Sequence, residues 1–199
     1  MIQNSFTFRE AWLNAGIDAM RGKIESAGYI LPEKLKITCG WPVGARGGKK
    51  IIGGQCIRPE CSAGAVTELC VSPMLSDPVI VLGIVLHELG HAAVGVEAGH
   101  GKPFKAFCDA LGLTGKATEA MPGESCRKWL VDYVLPALGP YPHDAIDLST
   151  RKKQTTRMIK LVCPETGYTV RTTQKWLDVG VPVSPAGCEM VQEGECEDE

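Results

Sequence analysis

The sequence predicts an α+β fold: a small antiparallel sheet packed on a central apolar helix, helices on either side, and a short C-terminal β module. Three observations carry this prediction. Residues 79–94 are apolar on nearly every side, the pattern of a helix buried at a centre. Three short β-type runs (35–42, 49–57 and 66–72) precede that helix, and two more (157–163 and 168–176) follow near the end. The 199 residues, 44% of them apolar, suit one compact domain or one domain with a small module, and exclude a disordered chain.

The elements follow in order. Residues 6–27 read as an amphipathic helix: Thr7 and Glu10 have capping-box spacing, and Leu13, Ile17, Met20 and Ile24 share one face. Between the first two β runs lies Val43-Gly44-Ala45-Arg46-Gly47-Gly48, a glycine-rich, hairpin-like loop. It is not a Walker A loop, since Val43 and Lys50 stand where Gly and Ser or Thr are required. Run 66–72 is the expected edge strand. Asp77 then caps the central helix and Pro78 takes its first position; Gly99 and Gly101 are expected to end it. Two further helices are expected over 103–111 and 123–135, the latter stopped by Pro136 and Gly139. The organisation expected is a domain over 1–143, a polar linker over 144–156, a β module over 157–192 and an acidic tail over 193–199.

A formal net charge of -2 argues against general polyanion binding and leaves room for a local basic patch. The first ten residues lack a basic stretch followed by an apolar one, and the longest apolar run, Val79 to Leu86, is too short to cross a bilayer. A cytoplasmic protein with no membrane partner is the expectation. Nine cysteines cannot all pair internally, and in a reducing compartment they serve as core filler, metal ligands or thiols.

The motif that carries chemistry is His87-Glu88-Leu89-Gly90-His91. Histidines four apart lie on one helix face, about 6 Å apart along the axis, where both imidazoles can reach one Zn²⁺. Glu88 projects roughly 100° away and can take a proton from a water that the metal has acidified. These three residues interrupt an otherwise apolar helix. Burying them without partners would cost several kcal/mol, which a metal site avoids. A metzincin pattern is excluded, because Val94 and Glu97 stand where Gly and His are needed. For the third ligand, His100 between two glycines is favoured over Glu97, which a continued helix would carry away from His91. Three protein ligands leave one position open, the catalytic arrangement.

His87-Glu88-Leu89-Gly90-His91 followed by His100-Gly101-Lys102-Pro103-Phe104-Lys105 resembles the SprT-like (Spartan-type) zinc metalloproteases. The resemblance covers roughly residues 35–112. It implies a compact zincin-like domain with His87, His91 and His100 as ligands of one catalytic zinc and Glu88 as general base. The tail is similar to the family's zinc ribbon in degenerate form. Cys163 begins a first knuckle whose second cysteine is replaced by Thr166, and the second knuckle, 184–188, keeps Cys188. A metal-free β module is the preferred reading of the tail; a second zinc would draw on Cys163 and Cys188, with Cys126 or Cys196 recruited. Cys39, Cys56, Cys61 and Cys70 read as strand cysteines, with a structural metal as the alternative.

Residues 151–176 hold seven Lys or Arg against one acid, Glu165. Lys152, Lys153, Arg157, Lys160, Arg171 and Lys175 could meet nucleic-acid phosphates, with Trp176 for stacking; a solvated face is the alternative. Six acids and no base follow from Glu189 onward. Tyr141 and His143 are candidate stabilisers of a tetrahedral intermediate. The expected function is zinc-dependent hydrolysis of peptide bonds in a protein or peptide substrate, which by resemblance could be DNA-associated. The alternatives are a non-catalytic zinc-containing adaptor on nucleic acid and a zinc hydrolase of small amides.

Overall fold

Helix α1 (Arg9–Ser26) buries Trp12, Leu13, Ile17, Met20 and Ile24, the apolar stripe visible in the sequence. The computed structural model describes residues 6–44, 52–148 and 158–193. They divide between two compact units, 1–148 and 149–199. The expected capping box of α1 does not form. Phe8 occupies the N-cap, and the Glu10 carboxylate instead accepts the Cys39 backbone N–H at 3.1 Å, tying the start of α1 to the first strand.

Strands β1 (Leu35–Cys39), β2 (Gly54–Ile57) and β3 (Thr67–Val71) form a sheet in the order β1-β3-β2. The sheet is mixed: β1 runs parallel to β3 and β2 antiparallel to it. This corrects three expectations. The sheet is not purely antiparallel, β1 and β2 do not form a hairpin, and the 66–72 strand is central, not an edge. The physical reason lies in β3, which buries Thr67, Leu69 and Val71 and takes hydrogen-bonded partners on both sides. With β3 hydrogen-bonded to both, β1 and β2 are kept apart and have no shared ladder. β2 is therefore an edge strand, and it packs on the central helix.

Helix α2 (Pro78–Val94) begins as expected, the Asp77 carboxylate accepting the Ile80 N–H at 2.8 Å. It ends earlier than expected, at Gly95, whose φ of 89° favours glycine. A single 3₁₀ turn (Val96–Ala98) leads to α3 (Lys102–Leu111). Two glycines seven residues apart on α2 set its packing distances. A Cβ on Gly83 would lie 2.4 Å from the Pro122 ring, and one on Gly90 would lie 2.8 Å from Phe107 and 2.9 Å from Phe104. Both α3 and the short hairpin β4 (Leu113–Thr114) with β5 (Met121–Pro122) thus come close against α2. The next helix consists of α4 (Glu124–Trp129), a π turn (Leu130–Val134) and α5 (Leu135–Leu138). Pro136 does not stop it. The wider π turn opens the ladder just where the Pro136 N–H is missing, and Gly139, at φ 72°, ends the run.

In the second unit β6 (Ile159–Val162) pairs antiparallel with both β7 (Thr169–Thr172) and β8 (Val191–Gln192). The expected strand over 168–176 stops at Thr172, and Gln174–Leu177 forms the short helix α6. Leu161, Cys163 and Met190 make the small core. Among the described residues, no helix is long and apolar enough to cross a membrane.

Candidate metal centre

Helix α2 places His87 and His91 on one face, and the turn after Gly99 brings His100 back against them. Ligand atoms of the three imidazoles lie within 4.8 Å of one another. His87 and His91 are buried and His100 is exposed. Glu97, the alternative third ligand, is not in this cluster: it lines a different cavity and bends back towards Gly95.

Phe104, fully buried on α3, fixes the rings. It stacks on His91 at a centroid distance of 4.2 Å and meets His87 and His100 through its edges at 4.8 and 5.2 Å. Gly90, inside the motif, is what lets Phe104 come so near. His87 Nδ1 faces the Ala120 carbonyl oxygen at 3.4 Å, an arrangement that holds a histidine ring and leaves Nε2 for a ligand.

One feature fits a cation here: the Nε2 atoms of His91 and His100 lie 3.3 Å apart, with their ring nitrogens turned towards each other. The other His91 nitrogen, Nδ1, is buried with no hydrogen-bond partner on its far side. Burial pushes the His91 imidazole down to about 4, with His87 and His100 contributing, and lowers His87 as well. Neutral rings with converging lone pairs are what a metal requires. The three histidines could hold a metal ion, and three nitrogen donors suit a borderline-soft divalent one.

Glu88, 6% exposed, lies beside the cluster under β2. Burial pushes its carboxyl up to about 8, partly offset by a hydrogen bond from the Cys56 backbone. A divalent charge at the histidines would return it to the ionised form. The strand can approach this closely because of Gly54, where a Cβ would stand 2.8 Å from Glu88 Oε1. Glu88 and the three histidines line one cavity of about 600 Å³, walled by 52–56 and 118–121.

Other candidate residues lie elsewhere. Tyr141 packs edge-on against Trp12 at 4.9 Å and points its hydroxyl at Cys39 Sγ, 3.9 Å away. His143 Nε2 lies 2.9 Å from the Thr7 carbonyl oxygen. Neither lines the cavity of the histidines. Cys39, Cys56, Cys61 and Cys70 do not converge as a ligand group, and among the described residues only His87, His91 and His100 do. Cys126 sits in the core of the first unit. Cys163 and Cys188 touch each other in the second, where Ser184 and Thr166 hydrogen-bond to Cys163. Lys160 pairs with Glu193, Arg171 is exposed, and Lys175 covers the Trp176 ring at 5.1 Å, with Trp176 itself 59% exposed. Lys152, Lys153, Arg157 and Cys196 lie outside the described residues.

Sequence reasoning missed Gly54, the Cys56 amide and the Ala120 carbonyl. The adjacent pair Gly53-Gly54 inside a β run was a readable signal of close backbone approach. The two backbone contacts had none. No protein-family model, no curated protein and no solved structure matches this chain.

Proposed function

We propose that the protein is a zinc-dependent peptidase, with His87, His91 and His100 holding the ion and Glu88 as general base. The observation that carries this reading is the convergence of three imidazoles beside a buried carboxylate in one cavity that also has an edge strand as a wall. When bound, zinc supplies Lewis acidity, polarising a carbonyl and lowering the pKa of a water. Glu88 takes a proton from the attacking water and returns it to the leaving amine. β2, not β3, offers the free edge on which an extended peptide would add as a strand. Phe104 and the Ala120 carbonyl hold the rings in place. The SprT-like resemblance agrees with this reading. The exposed Trp176, with Lys175 over its ring, supports a second surface, for nucleic acid, on the C-terminal unit.

The test is zinc content per chain together with peptide cleavage, for wild type, His100→Ala and Glu88→Gln. One zinc in wild type, its loss in His100→Ala, and its retention without cleavage in Glu88→Gln are expected. Cleavage that survives in Glu88→Gln would overturn the assignment of the base. Protein that takes up no zinc would overturn the whole reading.

A further inference from the structure

The cavity has two ends of different chemistry. Ile80, Ile84, His87 and His91 follow one another at helical spacing along the same face of α2, and all four line it. The ligands occupy the C-terminal end of this stripe. Its N-terminal end is aliphatic, and Leu75, Ile52 and Met121 complete that end from the opposing walls. Ile80 lies about 10 Å along the helix axis from His87, at 1.5 Å per residue. Ile80 and Ile84 are only half-buried, on a helix whose next residues, Val81, Leu82, Val85 and Leu86, are fully buried. The absence of side chains at Gly53 and Gly54 shapes this end: a Cβ at either would strike Ile84, at 2.8 and 2.6 Å. Among the lining residues there is no Lys or Arg, so an acidic side chain entering here would find no cation.

We propose that this aliphatic end is a selectivity pocket, formed by Leu75, Ile80, Ile84 and Met121, that takes a bulky aliphatic or aromatic side chain from the substrate residue beside the scissile bond. The inference rests on the peptidase reading above and adds the substrate class to it. About 600 Å³ of free space between these walls is room for a peptide group at the histidines and a large side chain at the aliphatic end. A hydrophobic pocket discriminates by about 10-fold or more for each methylene lost, so leucine is preferred to alanine by at least about tenfold.

The experiment uses the full chain loaded with zinc, with loading measured by elemental analysis, and four amino-acid hydroxamates carrying leucine, alanine, aspartate or lysine side chains. Hydroxamates anchor on the metal, so binding reports the pocket whether or not peptides are cleaved. Leucine is expected to bind at least about tenfold more tightly than alanine, with aspartate weakest. Ile80→Asp is expected to abolish the preference for leucine. This residue sits in the first turn of α2, where a carboxylate suits the helix terminus and the fold should survive. Equal affinities for all four probes, or lysine binding tightest, would overturn the pocket while leaving the zinc site intact. Failure of the protein to load zinc would instead overturn the metal reading, and the pocket with it.

Discussion

Gly54→Ala isolates the step from backbone packing to chemistry. A methyl at Gly54 would lie 2.6 Å from Ile84 Cγ2, 2.8 Å from Glu88 Oε1 and 2.9 Å from Glu88 Cγ. Neither Gly53 nor Gly54 has a positive φ, so the backbone accepts alanine and the effect is steric alone. Overpacking of this kind costs about 1–3 kcal/mol, which in a chain of this size lowers Tm by roughly 2–12 °C. The larger effect is on Glu88. If Glu88 is the general base proposed above, moving it by about 1 Å costs about 100-fold in turnover. The histidines are untouched, so zinc content stays at the wild-type value. Gly53→Ala is the internal control, because its methyl would meet only the Ile84 side chain at 2.8 and 3.3 Å and Leu75 at 3.8 Å, and not Glu88. The Ile84 δ-methyl can turn aside, and the unfolded chain loses freedom to alanine, so the net stability change is within about 1 kcal/mol. The assay is hydrolysis of a fluorogenic peptide with zinc analysis and thermal unfolding on the same samples. If Gly54→Ala keeps turnover within a few-fold of Gly53→Ala while its Tm falls as expected, β2 does not position Glu88 for catalysis and the argument fails.

Two further outcomes follow from the same packing. Gly83→Ala would set a methyl 2.4 Å from Cδ and 2.5 Å from Cγ of the rigid Pro122 ring, so α2 and β5 must separate; the urea midpoint should fall by the equivalent of about 3 kcal/mol, and an unchanged midpoint would refute the close packing. Burial first, and then Glu88, push the Cys56 thiol up to about 12, so it stays protonated at pH 8; iodoacetamide followed by peptide mass mapping should label the exposed Cys61 and spare Cys56, and comparable labelling of both would contradict the buried position of Cys56 beside Glu88.

Local chemistry was legible in the sequence where one residue decides the outcome. Asp77 and Pro78 announce the start of α2, and the apolar body of that helix announces its burial. The spacing of His87, His91 and His100 between glycines already pointed to convergence. What was not legible is pairing over distance. Nothing within 35–42 or 66–72 says that these runs lie parallel, because the choice is made by the connection and by what covers each face. The capping box at Thr7 and Glu10 was a local signal that lost to a tertiary one, the Cys39 amide. Pro136 was read as a stop because a π turn ahead of it leaves no mark in single-residue propensities.

The identity of the buried polar groups on α2 argues for ligation over scaffolding. His87, Glu88 and His91 are 7%, 6% and 8% exposed. The polar contacts around them are one carbonyl facing His87 at 3.4 Å, one backbone hydrogen bond to Glu88, and the His91 Nε2 to His100 Nε2 approach at 3.3 Å, with His91 Nδ1 left unpaired. A helix that served only as a core strut would be at least as stable with aliphatic residues at these positions, since removing buried ionisable groups is often neutral or stabilising. The neighbours do not behave like a tolerated defect either. Gly90 admits Phe104, Phe104 braces all three rings, and Gly54 admits β2 over Glu88, each a concession in packing that orients a polar group instead of eliminating it. A cation between the rings would give the convergence and the buried carboxylate one cause: it would satisfy the nitrogens that face each other and hold Glu88 in its ionised form.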